Sequence, residues 1–376
     1  MKSVVARYGY INARLRAKIG AFKENSLLPG MLRAETLVEA IQTLKNSRYA
    51  DLVRIYDQTG DIQQVELGML KDAIMDYHMV IDALDGVPQE IVRHLMGKLE
   101  LENLKSVLRL WYSNIIRHHS IASRGVYVFT DTIRYPVKWS DIINAVNWED
   151  VLYALHDTPY RDVLAAFDEH EIEQKGLFPV ETALDKDWYE ELIPLIHRLT
   201  GLDRTTAHDI YTMEIDFFNI LALIRYGWYY SLPSAELEHG LIPYGHVASS
   251  PRTRQYLDMP VGDRNPEVLL NDRFPELAKA TGMVTELTSP LHEDGDVGDT
   301  GGRKSRAIAA QTLRIERNLL ELRRKKFTHI LSDYPFTLGV VMAYFFLHKR
   351  EVTAIRAVLN GKFYGWSEAQ MREVLV

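Results

Sequence analysis

Three sets of residues in this 376-residue chain include types that could bind a ligand or transfer a proton. The first, Gly298–Ser305, reads Gly-Asp-Thr-Gly-Gly-Arg-Lys-Ser and is similar to a phosphate-binding loop. Such a loop needs a glycine directly before its lysine, so that backbone N–H groups wrap the phosphates while the lysine reaches them. Here Arg303 separates the glycines from Lys304, and no strand precedes them. We therefore interpret this segment as a flexible polar loop.

Histidines form the second candidate. His118, His119 and the pair His208–Asp209 could supply ligands to a metal ion, as in an all-helical phosphohydrolase. On a helix, however, two consecutive side chains point about 100° apart, so His118 and His119 cannot share one face. The chain offers no full set of further His and Asp residues at ligand spacing. Exposed or hydrogen-bonded histidines are therefore the better interpretation.

The acidic run Asp168–Glu173 is the third candidate. Paired carboxylates perform acid–base chemistry only where burial separates their pKa values, and a run of this kind beside a helix end usually faces solvent. The chain also has no Ser/His/Asp arrangement, no dinucleotide-binding fingerprint and no EF-hand spacing. We therefore predict no catalytic residue, no cofactor-binding residue and no metal ligand.

The elements that would position any such chemistry are repeated. A helical motif runs from Glu100 to Arg109, recurs from Asp216 to Arg225, and has a weaker third copy from Glu351 to Leu359. A second motif, Ile41–Asp57, aligns without a gap with Leu152–Asp168, and both contain a tyrosine and two aspartates at the same places. Repeats this far apart indicate bundles of several helices rather than a solenoid.

Apolar residues recur mainly three to five positions apart along most of the chain, which predicts an all-α fold. Together with the repeats, this predicts three helical bundles about a pseudo-threefold axis, forming a ring or funnel. We place the repeats at 1–110, 111–226 and 227–376. Residues 281–305 are rich in Gly, Asp and Ser and are predicted to form a flexible insertion in the third repeat.

Two local predictions accompany this assignment. Asp61–Ala83 carries one apolar stripe and is predicted to be a long amphipathic helix that Gly86-Val87-Pro88 ends. Gly125–Phe129 is the best candidate for a strand.

The charged ends of the motif invite a ligand-binding interpretation. Glu100 and Arg109 lie nine residues apart, and so do Asp216 and Arg225, which places the two charges on opposite sides of a helix. A direct ion pair within the helix is therefore excluded. We predict that each charge instead pairs with a neighbouring repeat and fixes the register of packing.

Composition limits the class of protein. Apolar residues at 47% and charged residues at 25% permit a sizeable core, and a formal net charge of −7 argues against a nucleic-acid binder. The absence of cysteine excludes disulfides and Cys-ligated metals and is typical of a cytosolic protein. No secretory signal is recognisable, and the longest apolar runs are too short to cross a bilayer. Any membrane contact must therefore be made through a partner.

Segments spread over nearly the whole chain resemble the C-subunit family of V-type and A-type ATPases, whose eukaryotic counterpart is the d subunit. The middle and C-terminal segments are the most specific, although the sequence has Tyr244 where the family often has Gly and Tyr334 where Asp is usual. The segments that carry the resemblance are Tyr8–Ala17, Leu27-Leu28, Leu44–Tyr49, Glu214–Arg225, Leu241–Gly245, Tyr334–Phe336, Ala343–Leu347, Glu351–Arg356 and Asn360–Lys362.

The resemblance implies a three-part helical funnel without an active site or cofactor. It implies a central-stalk (rotor) component, one copy per hetero-oligomeric complex, between the shaft of the ATPase head and the proteolipid ring in the membrane. Such a component transmits rotation between ATP hydrolysis or synthesis and transport of protons or sodium ions. It would lie at the cytoplasmic side, peripheral to the membrane. Arg14, Arg16 and Lys18 are candidates for these contacts, although a solvated helix face is the simpler interpretation of each.

Two other classes of protein stay open on the sequence alone. One is an all-α metal-dependent hydrolase that uses His118 or His208. The other is a soluble helical scaffold.

Overall fold

The residues that the computed structural model describes form helices joined by short turns. These residues are 4–24, 27–118, 128–275 and 300–375. They contain no strand, so the all-α prediction is confirmed over the described ranges. None of the described helices is long and apolar enough to cross a membrane.

Contacts between residues divide the chain into two compact units. Unit 1 comprises Met1–Arg204 and Ile330–Val376, and unit 2 comprises Thr205–His329. Two helices, α12 and α16, run from one unit into the other. The helices up to α12 are α1 (Val4–Glu24), α2 (Leu27–Arg33), α3 (Leu37–Gln42), α4 (Ala50–Thr59), α5 (Ile62–Ala83), α6 (Gly86–Trp111), α7 (Trp139–Asn144), α8 (Trp148–Ala154), α9 (Tyr160–Leu164), α10 (Glu169–Lys175), α11 (Phe178–Arg198) and α12 (Gly201–Ala222).

The remaining helices follow in the same style. They are α13 (Ser234–His239), α14 (Pro251–Asp258), α15 (Glu267–Arg273), α16 (Thr300–Asp333), α17 (Leu338–Phe363) and α18 (Glu368–Val374). Short 3₁₀ turns occur at Thr43–Asn46 and Val261–Asp263. We call α6, α12 and α17 the motif helices, because each carries one copy of the repeated motif.

The long amphipathic helix predicted at Asp61–Ala83 is confirmed as α5. Asp61 caps it, since its side chain accepts a hydrogen bond from the backbone N–H of Gln63. The connection after α5 is shorter than the sequence Gly86-Val87-Pro88 indicates, because Gly86 is already the first residue of α6. Gly86 has a φ of 61°. A left-handed conformation costs glycine little, so the chain reverses into the next helix without a loop.

The strand prediction at Gly125–Phe129 is wrong where it can be examined. Residues 125–127 lie outside the described residues, and Val128 and Phe129 are not in a strand. Phe129 is buried, and its carbonyl oxygen accepts a 2.9 Å hydrogen bond from the Asn103 side chain. Phe129 therefore contacts α6 through its backbone carbonyl and is not part of a strand.

The predicted insertion 281–305 also needs a correction at its end. Residues 281–299 lie outside the described residues, whereas Thr300–Ser305 form the first turns of α16. The Ala, Arg, Leu and Glu residues that follow are strong helix formers, and the helix extends N-terminally from them through the two glycines.

Two hydrophobic clusters show where the described core lies. In unit 1, α2 to α5 enclose Ile355, Val358 and Leu359 of α17 and Met371 of α18. The N-terminal helices of unit 1 therefore share their core with the C-terminal ones. In unit 2, the second half of α12 packs with α13 to α16 around Tyr256 and Leu270.

The three motif helices end in a similar way. At the end of each, a backbone N–H donates a hydrogen bond to the carbonyl oxygen five residues earlier in the chain. The donors are Arg117, Tyr230 and Trp366. In the first two, π-helical segments at Tyr112–Ile116 and Leu223–Tyr229 precede this bond. A residue with positive φ, which is His118, Ser231 or Gly365, lies next to each bond.

Candidate functional site: the three motif helices

The motif helix α6 is fixed through the buried carboxylate of Glu100. The backbone N–H groups of Arg134 and Tyr135 donate to its Oε2 over 2.7 and 2.9 Å, and the Tyr160 hydroxyl donates to its Oε1 over 3.0 Å. Nine residues later, Arg109 donates two hydrogen bonds, of 2.6 and 2.7 Å, to the two carboxylate oxygens of Glu181 in α11. This fork geometry fixes orientation as well as distance.

The same scheme holds α12 within unit 2. Asp216 is completely buried, and its Oδ1 accepts from the backbone N–H groups of His246 and Val247 over 2.6 and 2.9 Å. Asn219, three residues on, both donates to and accepts from the backbone of Ile242, each over 2.9 Å. Arg225, nine residues after Asp216, pairs with Glu316 of α16.

The weaker third copy keeps both ends of the scheme. Glu351 of α17 accepts a 2.6 Å hydrogen bond from the Tyr49 hydroxyl. Nine residues later stands Asn360, which donates over 2.7 Å to Glu66 near the start of α5, and Arg356 contacts the same carboxylate at 3.3 Å. The third copy therefore matches the motif less closely in sequence, but polar residues at its two ends still make contacts outside the helix.

These contacts explain both sequence motifs together. Tyr49 and Tyr160 occupy the same place in the second motif, and each donates to the carboxylate of a motif helix, Glu351 and Glu100 respectively. In both contacts, the tyrosine of the second motif thus donates to the acidic residue that begins a copy of the first motif. The prediction that the motif charges pair outside their own helix is confirmed for Arg109 and Arg225.

The electrostatics keep these tyrosines as donors. Burial, and next the adjacent carboxylate, raise the pKa values of Tyr160 and Tyr49 above their ordinary value. Burial also raises the pKa of Glu351, against the opposing effect of the Tyr49 hydrogen bond and of Arg48. Both hydroxyls therefore remain protonated, and able to donate, near neutral pH.

A close backbone approach accompanies the contact in unit 2. A Cβ atom added at Gly245 would lie 2.5 Å from Asp216 Oδ1 and 2.9 Å from Ile215 Cγ2. We expect Gly245→Ala to lower the free energy of unfolding of unit 2 by about 1–3 kcal/mol, because one of these buried groups must move. Denaturant unfolding measures the change. Gly262→Ala is the control, since its Cβ would meet nothing within 4 Å, and equal losses in both variants would contradict this explanation.

The predicted candidate histidines do not form a site with one another in the described residues. His118 is exposed at the end of the first π-helical segment, and His119 lies outside the described residues. His208 is exposed, with its Nδ1 atom 4.0 Å from Asp209. Neither described histidine belongs to a group of three possible metal ligands.

The acidic run has structural roles. Asp168 caps α10 by accepting from the Glu171 backbone N–H, Glu169 accepts from the Trp148 backbone N–H over 2.7 Å, and Glu171 pairs with Lys175 at 2.8 Å. The look-alike phosphate loop falls partly outside the described residues at Gly298 and Asp299. Its remainder begins α16.

The three cations considered as contact residues differ from one another. Lys18 is 2.7 Å from Asp76 of α5, so it serves the fold of unit 1. Arg16 donates to the side chain of Asn12 and to a backbone carbonyl at the end of α16. Arg14 is exposed and contacts only its own helix in the bonds seen, through the hydroxyl and ring of Tyr10.

One group of possible metal ligands does come together among the described residues, at Asp72, Asp76 and His348. Arg48 already bridges the two carboxylates, at 2.7 and 2.9 Å. Burial, reinforced by Arg48, lowers the pKa of His348 to about 3. Because Arg48 and Lys18 already pair with these carboxylates, we interpret this group as a structural ion-pair network.

Sequence reasoning missed a second buried network, which lies between α6 and α11. Lys98 and Lys105 both contact Asp185, at 2.6 and 3.0 Å, and both also approach the partly exposed Glu102, at 4.0 and 3.1 Å. Lys98 is half-buried and lies over the Trp188 ring. Nothing in the sequence marks Asp185, because its partners lie some eighty residues away along the chain.

Comparison with known proteins supplies the family. The model of the ATP synthase (C/AC39) subunit matches residues 11–374. The chain belongs to this family. The A-type ATP synthase C subunit of Haloferax volcanii is 24% identical over 372 residues, which cover 95% of this chain and 93% of the relative. The same A-type protein of Halobacterium salinarum is 24% identical and covers 99% and 98%, and that of Pyrococcus abyssi is 21% identical and covers 93% and 85%.

Membership in the C/AC39 family gives this chain a place in a rotary ATP synthase complex, as a component without a catalytic role. The resemblance predicted from the sequence is thereby confirmed.

Proposed function

We propose that this protein is the central-stalk adapter of a V/A-type rotary ATPase. In this role it connects the central shaft of the soluble head to the proteolipid ring and transmits torque between them. The coupled process is transport of an ion, proton or sodium, driven by ATP hydrolysis or driving ATP synthesis. One copy serves each complex, with no cofactor.

The observation that best supports this role is the way in which each motif helix is held at two points. One point is a carboxylate bound by groups from another part of the fold. The other lies nine residues later, against a different long helix, which is α11 for α6, α16 for α12 and α5 for α17. Two fixed points, separated by two and a half helical turns, resist rotation of the helix about its own axis. An element that transmits torque needs such resistance to local opening.

We further propose that the three predicted repeats, 1–110, 111–226 and 227–376, form a funnel with pseudo-threefold symmetry. Equivalent contacts in all three copies support this arrangement, since repeats with equivalent interfaces assemble by closed symmetry. A funnel would join a narrow shaft to a wider ring. The proposed location is the cytoplasmic side of the membrane, peripheral to it through the complex.

Co-purification tests the proposal. The full chain carries an affinity tag and is recovered from detergent-solubilised native membranes, and the co-purifying proteins are identified by mass spectrometry. We expect shaft subunits and proteolipid in one complex. Recovery of the head subunits without the ring, from a folded bait, would contradict the adapter role. Stoichiometric bound metal with hydrolytic activity would favour the all-α hydrolase instead.

A further inference from the structure

One face of unit 1 differs in charge from its counterpart in the first repeat. Residues 138–171, which include α7, α8 and α9, contain eight acidic and two basic residues, a formal net charge of −6. The aligned residues 27–60 contain four of each and are neutral. Most of the net charge of −7 carried by the whole chain is therefore concentrated in this stretch. Three of the eight carboxylates, Asp168, Glu169 and Glu171, already cap or pair at α10. The exposed side of α7 to α9 thus has five acidic and two basic residues, and we call it the acidic face.

The alignment behind this comparison is supported by the structure. With a constant offset of 111 residues, Trp148 at the start of α8 corresponds to Leu37, which is the first residue of α3. The starts of α7 and α9 fall within one residue of the starts of α2 and α4 on the same offset. Differences between the two stretches are thus differences at equivalent surface positions.

Several of the acidic residues lie at helix starts, which explains their presence, but this does not explain why the stretch lacks the cations found in the first repeat. Glu149, Asp150 and Asp162 lie in first turns, where carboxylates favour the helix dipole. The cations of the first repeat have nonetheless been exchanged at every aligned position. Arg33, Lys45, Arg48 and Arg54 correspond to Asn144, His156, Pro159 and Ala165.

The acidic face has also gained exposed apolar side chains. Tyr153 is 72% exposed and Val146 is 69% exposed, whereas the aligned residues of the first repeat are Gln42 and Glu35. Tyr153 stacks on His156, and the Lys138 amino group lies 5.8 Å from its ring. Apolar side chains surrounded by charges are the anatomy of a protein contact.

We propose that the acidic face docks a lysine- and arginine-rich segment of another protein of the same complex, with Tyr153 and Val146 at its centre. A surface of this charge repels nucleic acid and anionic lipid headgroups, so a cationic protein segment is the partner that it complements. Since the aligned face of the first repeat is neutral, the contact forms on the second repeat and not on the first, so a partner distinguishes these two repeats. The inference rests on the proposed function.

The test exchanges the face for that of the first repeat. Asn144→Arg, His156→Lys and Ala165→Arg place three cations at exposed positions, as in the first repeat. Tyr153→Gln and Val146→Gln replace the apolar side chains without adding negative charge. The full-length variant and the original chain are rebound to solubilised complex from which this protein has been removed. We expect the variant to bind about tenfold more weakly and its affinity to depend less on salt, because three exposed charge contacts become repulsive.

The control makes the reverse exchange, Arg33→Asn, Lys45→His and Arg54→Ala, on the first repeat, and we expect it to bind like the original chain. A photo-crosslinking residue at Tyr153 should capture a peptide rich in Lys and Arg in the reassembled complex. Equal affinity and equal salt dependence of variant and original chain, or capture of an acidic or neutral peptide, overturn the inference while leaving the adapter role intact. Failure of the original chain to rebind contradicts the adapter role, and the inference with it.

Discussion

Ending the chain at Asp333 is expected to abolish coupled ion pumping while the head continues to hydrolyse ATP. The truncation removes α17 and α18, and with them Ile355, Val358, Leu359 and Met371 from the core that α2 to α5 enclose. Burial of each such side chain contributes about 1.5–3 kcal/mol, so their joint loss is comparable with the whole stability of a typical domain. The contacts to Tyr49 and Glu66 disappear as well.

The measurement compares ATP hydrolysis with ion uptake in reconstituted vesicles. Amide hydrogen exchange over 27–69 reports whether the N-terminal helices lose protection, as we expect. Supplying residues 334–376 as a separate polypeptide should restore both protection and pumping, since the missing core side chains then return. Pumping that survives the truncation with full coupling would refute the adapter role.

The second large effect is expected at Asp185. Asp185→Asn leaves the buried Lys105 and the half-buried Lys98 with only the partly exposed Glu102 as a carboxylate partner. We expect unit 1 to lose about 3 kcal/mol of stability, the lower end of the range for breaking a buried ion pair. Calorimetric or denaturant unfolding at neutral pH measures the loss. The control is Glu171→Gln, which removes an exposed i,i+4 pair with Lys175 and should change stability by no more than about 0.5 kcal/mol.

The pH dependence of this effect has a definite sign. Burial alone would raise the pKa of Asp185, but Lys98 and Lys105 outweigh burial and hold it below the ordinary value. A carboxyl with a depressed pKa stabilises the fold above its unfolded-state pKa and loses that contribution as the pH falls through its folded-state pKa. The difference between Asp185→Asn and the original chain should therefore shrink in acid.

A triple replacement distinguishes the effect of the charges from the effect of packing at Asp185, Lys98 and Lys105. Asp185→Leu with Lys98→Met and Lys105→Met removes all three charges and keeps similar volume, so it should unfold close to the original chain or above it. If this variant is as unstable as Asp185→Asn, then packing, rather than the loss of the Asp185 charge beside the two lysines, explains the lower stability.

The helical class, α5 and the equivalence of the repeated motifs could be predicted because their signals are local or periodic. The apolar stripe of α5 and the matching residues of Ile41–Asp57 and Leu152–Asp168 are visible without knowledge of the fold. Even so, the role of Tyr49 and Tyr160 as donors to Glu351 and Glu100 was not predicted, because each contact joins distant parts of the chain.

The errors have the same origin. Val128 and Phe129 are apolar and β-branched or aromatic, which favours a strand, but Phe129 is buried beside α6 and its carbonyl accepts from Asn103. Tertiary contacts override local preference at such positions. Likewise the buried lysines at Asp185 look like ordinary surface residues in the sequence, since their burial depends on the packing of α11 on α6.

Direct observation of rotation tests the central claim. The chain contains no cysteine, so Met75→Cys, at an exposed position of α5, provides a single attachment point for an optical probe. In intact complex immobilised through its head, the account predicts that ATP turns the probe relative to the head, in step with hydrolysis. A probe that stays fixed relative to the head while hydrolysis and ion pumping proceed would contradict the proposal that this protein transmits torque.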